Sequence, residues 1–431
     1  MSPFYEKLTF ELEFITPAFI GGAFPDQEAE LRPASFIGIL RWWFRNLALT
    51  VTDDIEAIAH LESELFGNQK RAGKVWVKIN NSNLENKTID LKQIKVSQSS
   101  VNECPSEKYK TKLQELINYN KRNKIYAPLS YVSFGVNKRP AIEGSVKIAI
   151  FFPKKYKTLI ETLLILINFL GTIGAKRTKG WGSFKLIFNK ESFPSNYSPE
   201  GLTKTLGNFK KNIEDVLSYK NLSSYKIRDL QVFKFKNFRL KNCLEDNTDD
   251  KRLSILGQIA LAYKLFRFKF PPDYNEALNF LKNPPNEENN EKVELIYNRA
   301  TLGLPIPHIS SSKKEYRRLT ISDLSYEEKT LKRLQTPFLF KVLNSEEFLL
   351  ILFTPKKISR IYNNMQVYGE FQEKDNKKWK IKKGKILIKF GFKKNQTFDP
   401  KKFSEEQKFL LEKLRKTFQD LFEEENNEKQ Q

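Results

Sequence analysis

A chain of 431 residues is long enough for two or three domains, and its 40% apolar content is that of a globular protein. Its 74 Lys+Arg against 51 Asp+Glu leave a net charge of +23, which favours a polyanionic partner, nucleic acid before membrane, although a Lys-rich chain can also reflect a biased genome. Cys104 and Cys243 stand apart without metal-ligand spacing, the N-terminus runs into an alternating strand, and the longest apolar run is too short for a bilayer. These features argue against a disulfide framework, a zinc site, a secretory signal and a membrane span, and they predict a cytoplasmic protein.

Leu8, Phe10, Leu12 and Phe14 alternate with Thr9, Glu11 and Glu13, the period of a strand with one buried face, expected over residues 6–15. The segment PASFIGILRWWFRNLAL follows, with Ser35 as the expected N-cap of a helix, and a second helix is expected over 53–66, closed by Gly67. Strands are expected at 74–80 and 144–153, separated by a polar insertion at 81–125. A helix over 154–170, a glycine-rich loop and the strand SFKLIF complete the order β-α-β-β-α-β, the ferredoxin-like arrangement also used by RNA-recognition motifs.

The second half predicts helices at 201–218, 253–268 and 403–423, and strands at 229–238 and 384–392. PFLFKVLNSEEFLLILFTP reads as a hairpin turning at Ser-Glu-Glu. The expected fold class is therefore α+β, with two tandem ferredoxin-like domains carrying helical insertions. The first covers 1–195, the second, degenerate copy covers 196–425, and residues 426–431 form a disordered tail.

The loop GTIGAKRTKGWGSFKL, residues 171–186, concentrates chemistry. It follows a helix and precedes a strand, the reverse of a Walker A loop, and the Gly-Lys spacing fails as well. Only Gly180 and Gly182 form a G-x-G, so a dinucleotide fingerprint is absent. What remains is a loop in which glycines permit positive φ, Lys176, Arg177 and Lys179 offer charge to phosphates, and Trp181 offers a stacking face. The alternative is a helix C-cap with solvated charges and Trp181 in the core.

In the helix over 35–49, Phe36, Leu40, Trp43, Phe44 and Leu47 share one face, while Arg41, Trp42 and Arg45 fall toward the other. Trp42 beside two arginines is a candidate base-stacking or partner-protein site. Its alternative is an indole covered by the chain's own insertion.

FITPAFIGG, ELRPASFIGILRWWFRNLA, ESELFG and GAKRTKGWGSF resemble, in order and spacing, the hallmarks of the RAMP superfamily of CRISPR-associated proteins. In particular they resemble the first-subunit family of the Cmr, or type III-B, RNA-targeting complexes, as do the later LGLPIP and RLQTPFLFKV. The resemblance implies tandem ferredoxin-like domains and a place beside other Cmr RAMP subunits. It also implies contact with CRISPR guide RNA and complementary target RNA toward the 3′ part of the guide, assisting target capture. Carried over, RNA contacts fall at Arg32, Arg41, Arg45, Lys176, Arg177 and Lys179. The family commonly has a more Arg-rich stretch where this chain has KRLQTPF, leaving Arg333 as the matching contact.

Some members of the superfamily are metal-independent endoribonucleases, so the two histidines matter. His60 lies in the helical AIAHLESELF, where a buried or capping role is expected. His308 is expected on a loop near Lys313, Lys314, Tyr316, Arg317 and Arg318, a grouping able in principle to move a proton. A structural or RNA-contacting role is the expectation there, and Arg317 and Arg318 join the RNA contacts. Asp53-Asp54 and Asp249-Asp250 are read as helix N-terminal charge and a solvated loop rather than metal ligands. The expected function is a non-catalytic RNA-binding subunit without cofactor or metal. A processing endoribonuclease and a general RNA-binding protein or chaperone are the alternatives.

Overall fold

The computed structural model of the chain describes residues 4–104, 107–119, 125–188, 193–194, 196–217, 227–238, 243–268, 273–282, 294–296, 302, 306–311, 316–326, 329–331, 336–355, 366–375, 378–389 and 400–424. The expected tail at 426–431 and Arg333 lie outside the described residues. The chain divides into two compact units, Met1–Leu265 with Leu339–Ile351 and Thr417–Gln431, and Phe266–Phe338 with Leu352–Lys416.

The first unit begins with β1 (Tyr5–Phe14), α1 (Pro33–Ala48), α2 (Ile55–Phe66) and β2 (Trp76–Lys87). Then come β3 (Ile94–Lys95), α3 (Gln98–Glu103), α4 (Glu107–Tyr119), α5 (Pro128–Val132), β4 (Ala141–Pro153), α6 (Lys157–Leu170) and β5 (Phe184–Phe188). The sheet order is β2-β4-β1-β5, with every neighbour antiparallel. Alternation in β1 does what its sequence dictates: Leu8, Phe10, Leu12 and Phe14 are buried, and Phe10 meets Phe36 of α1 at 5.8 Å. Phe36, Leu40, Trp43, Phe44 and Leu47 of α1 are fully buried, as the helical period requires.

Two local expectations change. The N-cap of α1 is Arg32, with Pro33 in the first turn and Ser35 donating its N–H to Arg32 O at 2.9 Å, because proline's fixed φ starts a helix more firmly than a serine two residues on. His60 is exposed on α2 rather than buried or capping. Asp54 fills the capping role instead, accepting the Ala57 N–H at 2.9 Å, and Gly67 at φ +83° ends that helix.

The described residues of the polar insertion form regular elements. They extend β2 to Lys87 and continue through β3, α3 and α4. A disulfide joins Cys104, at the end of α3, to Cys243, across a sequence separation of 139. This corrects the reading of two unrelated cysteines, since spacing along a chain carries no information about contacts made only in the fold.

The chain continues with α7 (Pro199–Leu217), β6 (Arg228–Phe238), β7 (Glu245–Asp246), α8 (Lys251–Arg267) and α9 (Asp273–Lys282). Next are β8 (Glu294–Ile296), β9 (Ile306–Ser311), β10 (Tyr316–Tyr326), β11 (Lys329–Leu331), β12 (Phe338–Val342) and β13 (Phe348–Pro355). Last come β14 (Gln366–Asp375), β15 (Lys378–Lys389), α10 (Pro400–Leu421) and β16 (Phe422–Glu424). A second four-stranded sheet runs β12-β13-β6-β16, and β3 pairs with β7 beside the disulfide. Asp250 lies at the start of α8 and accepts the Arg252 N–H at 3.0 Å, so it is a helix-capping group rather than a solvated loop charge.

β12 and the first half of β13 are buried on both faces, which is why they read as continuous apolar runs. One face meets a ring cluster in which Phe340 lies 4.9 Å from Phe418 and Phe348 lies 5.0 Å from Phe422. The second unit is built on the sheet β11-β10-β14-β15-β8, with β9 beside β10. The fold class is thus mixed α+β; in this sheet β10 pairs antiparallel with β14 and β14 with β15, whereas β15 pairs parallel with β8. His308 sits in β9, paired with Leu319 of β10, not on a loop.

Candidate nucleic-acid interface

The glycine loop is fixed at its base before it offers anything at its tip. Ala175 N–H donates to Phe19 O at 2.7 Å, Ile173 N–H to Gly182 O at 2.9 Å, and Gly182 N–H to Pro17 O at 2.9 Å. Thr16 Oγ1 donates to Gly180 O at 2.8 Å and accepts the Ser183 N–H at 2.9 Å. Gly182 is at φ +65°, and a Cβ there would stand 1.9 Å from Ile173 O, so only glycine permits this turn. The motif FITP and the motif GWGS are therefore two sides of one hydrogen-bonded corner.

The second sheet seals that corner. Phe340 N–H donates to Thr178 O at 3.3 Å, and Val342 N–H donates to Ser183 Oγ at 2.9 Å. Lys341 is fully buried, with Nζ donating to Gly171 O at 2.6 Å and to Phe184 O. Burial pushes its ammonium well below the ordinary lysine range.

Trp181 belongs to the packed side of the loop. It is 0% exposed, its ring lies 4.9 Å from Phe19, and its indole N–H has no partner among the described residues. The indole presents no face to a base, so the stacking role read from the sequence gives way to the alternative of a core tryptophan.

The tip, Lys176 to Lys179, is half-buried. Lys176 holds φ +58°, the one non-glycine positive φ among the described residues. The guanidinium of Arg177 lies 4.1 Å from the centroid of Trp42, and the ammonium of Lys179 lies 3.8 Å from that of Tyr263. Burial pushes Arg177 down to about 10 and also lowers Lys176. Among the described residues neither cation is ion-paired with a carboxylate. Two half-buried cations with no carboxylate paired to them among the described residues favour the arrival of an anion.

Beside the tip is a pocket of 290 Å³ whose lining includes Ser35, Arg139, Gly174, Ala175 and Arg177. Ser35, in the first turn of α1, lines it; that turn carries no acidic residue and no side-chain cap, and its Ser35 N–H is already bonded to Arg32 O. Phosphate chemistry fits these donors.

The other expected contacts are distributed. Arg32 is exposed, donates to Gly21 O at 3.2 Å and stands 4.0 Å from Glu30. Arg41 and Arg45 both hold Glu62, at 2.9 and 2.7 Å, so one buried carboxylate orients two guanidiniums. Burial alone would raise the Glu62 carboxyl, but hydrogen bonds from Arg45 and Arg41 override it and hold it below 4.5. Arg45 remains 53% exposed, with spare donor capacity. Trp42 is half-buried, with Trp43 edge-on at 4.9 Å. Arg317 and Arg318 are consecutive residues of β10, a strand of the second unit. No group of three or more potential metal ligands occurs among the described residues.

Sequence reasoning missed Glu62, Tyr263 and Lys341. Glu62 stood inside ESELFG, and Lys341 was the lone cation of an apolar run, the one available sign of a buried amine.

With that geometry in place, the comparison with family models finds a match: residues 11–185 are similar to the RAMP superfamily. Two curated proteins of Pyrococcus furiosus are similar to the chain. CRISPR system Cmr subunit Cmr1-2 is 40% identical over 75 residues, covering 17% of this chain and 39% of that protein. CRISPR system Cmr subunit Cmr1-1 is 27% identical over 251 residues, covering 52% and 65%. The matches thus span less than two thirds of either relative.

Among solved structures, the crystal structure of Cmr1 from Pyrococcus furiosus in its apo form aligns at TM-score 0.46 and 16% identity, over 82% of this chain and 89% of that one. A chain of the cryo-EM structure of Type III-B Cmr-beta bound to cognate target RNA aligns at 0.41 and 14%, over 95% and 99%. The strand order, not these superpositions, defines the fold here. Among the described residues no helix is long and apolar enough to cross a membrane.

Proposed function

We propose that this chain is a non-catalytic RNA-binding subunit of a type III-B CRISPR (Cmr) effector complex. In this reading it contacts guide RNA, target RNA or both toward the 3′ end of the guide and assists target capture alongside other Cmr RAMP subunits. The observation that carries the reading is the loop tip, where Lys176 and Arg177 are partly desolvated and, among the described residues, not paired with a carboxylate, beside a first turn of α1 that carries no acidic residue. The names of the two curated relatives, both Cmr subunits, support the same assignment.

The architecture proposed with it is a tandem of ferredoxin-like domains, 1–195 and 196–425. Its support is that β2-β4-β1-β5 and β12-β13-β6-β16 each read second, third, first, fourth in their own chain order. Each has a helix after its first strand and another before its last, α1 and α6 in one, α8 and α10 in the other.

The test is to isolate the protein under mild conditions from its own host, identify what accompanies it and sequence the RNA. Short RNAs sharing one repeat-derived 5′ tag, with a fixed set of other proteins, are the expected outcome. A lone protein carrying repeat hairpins or assorted cellular RNA would overturn the assignment in favour of a processing nuclease or a general RNA binder.

A further inference from the structure

Helices cover one face of the β2-β4-β1-β5 sheet, where Leu8, Phe10, Leu12, Ile148 and Ile150 are buried. The opposite face carries a different set of residues in register. Trp76, Phe151 and Lys7 form one row across β2, β4 and β1; Lys78, Ala149 and Thr9 form the next; Asn80, Lys147 and Glu11 form a third. Trp76, Lys7, Lys78, Thr9 and Lys147 are exposed.

Trp76 and Phe151 are stacked face to face, centroids 3.9 Å apart and planes 5° from parallel, and Lys7 Nζ lies 5.9 Å from the Phe151 centroid. A cross-strand pair of this kind covers one face of each ring. Trp76 is on the edge strand and remains 51% exposed, so the stack ends in an indole open on its outer side. A flat aromatic end-face of that sort is extended naturally by another flat ring.

Charge decides which ring. Lys7 shares the row of the stack, Lys78 stands in the next row and Lys147 in the third, and among the described residues none of them is held in an ion pair. Beside these lysines the acids of β1 on this face are Glu11 and Glu13, and Glu13 is already taken by Lys185 at 3.0 Å; further along β4, Glu143 is held by Lys87 and Arg252. Surfaces that bind other proteins are depleted in lysine, whereas an aromatic ring set among unpaired lysines matches alternating bases and phosphates. Only unstacked bases can add to such a platform.

We infer that the helix-free face of this sheet is a second RNA-contact surface, on which Trp76 stacks a base of a single strand and Lys7, Lys78 and Lys147 neutralise its phosphates. It does not rest on the glycine loop, which lies on other elements and recruits phosphate by other residues.

The test uses the full chain and a fluorescently labelled oligouridylate of about ten nucleotides, read by anisotropy across a salt series. Trp76→Ala should weaken binding by about tenfold, and Trp76→Phe should recover most of it. Replacing Lys7, Lys78 and Lys147 together by Ala should flatten the logarithmic salt slope by about 2. All four side chains are solvent-facing, so melting temperatures should stay near wild type and separate a lost contact from a lost fold. A photo-reactive 4-thiouridine in the oligonucleotide should crosslink to the peptide containing Trp76.

Unchanged affinity in Trp76→Ala with no crosslink there overturns the inference. So does unchanged RNA affinity with loss of a protein that accompanies the wild type, which would make the face a protein-docking surface. Lys176→Ala with Arg177→Ala provides the independent arm: weakened binding there with Trp76→Ala unaffected sinks the sheet face and spares the loop, and the opposite pattern does the reverse.

Discussion

Arg177 caps the indole of Trp42, its guanidinium carbon 4.1 Å from the ring centroid, so the glycine loop and α1 meet through a cation and an aromatic face rather than through a carboxylate. A desolvated contact of this type contributes up to about 2 kcal/mol. A double-mutant cycle on stability with Trp42→Ala and Arg177→Ala should return a coupling of about 1–2 kcal/mol. Arg177→Ala should also weaken RNA binding and reduce the salt slope by about 0.7. Additive melting effects and an unchanged slope would separate the two residues and remove Arg177 from the interface.

Glu62 positions Arg41 and Arg45 together, so Glu62→Gln should release both. The expected loss is about 1–2 kcal/mol, the value of charged hydrogen bonds discounted for the exposure of Arg45. Because the folded-state carboxyl is held below 4.5, its contribution is complete above that pH and declines as pH falls through the lower folded value. Thermal melts of the two proteins should therefore differ most near neutrality and converge in acid. A difference that persists at low pH would show that the charge of Glu62 is not what matters.

Lys341 has the opposite linkage. Its amine is pushed below 10.5 in the folded chain, so folding releases a proton, and stability should rise with pH between the lowered folded value and 10.5. Lys341→Met keeps the volume of the side chain and removes the titration. Denaturant titrations from about pH 7 to pH 9.5 should show a shallower rise in the variant, with a lower plateau because Gly171 O and Phe184 O lose their donor. Parallel curves would assign the slope to other groups.

The Cys104–Cys243 bond closes a long loop, and such closures contribute about 2–4 kcal/mol by restricting the unfolded chain. Cys243→Ser, or treatment of the wild type with a strong reductant, should lower the melting midpoint by the same amount. Reductant should have no further effect on the variant. A variant that melts with the oxidised wild type would make the bond dispensable.

Much of the two four-stranded sheets was legible because their signals are local. The alternation of Leu8 to Phe14, the apolar stripe of α1 and the Ser-Glu-Glu turn between β12 and β13 each depend on neighbours a few residues away. Trp181 shows where that reasoning stops. A glycine loop with three cations looks open in sequence, but its inner side is covered by β12, whose Val342 bonds to Ser183 across a separation of 159 residues. The bond between Cys104 and Cys243 and the hold of Glu62 on two arginines of another helix were hidden for the same reason. Pairings between elements leave no periodic trace in the chain.

That dependence of the loop on β12 bears on how the protein is made. When residues 11–185 have left the ribosome, the matched RAMP segment is complete in sequence, yet Gly180 and the carbonyl partners of Lys341 still lack their cover. The strand that supplies it arrives only after α8, and β6 waits longer still for β16 at the far end of the chain. Closing such long connections is slow, and the uncovered apolar corner is open to wrong partners meanwhile. The first half of this protein is accordingly not a detachable module, and expressing it alone should yield an aggregation-prone fragment rather than a smaller RNA binder.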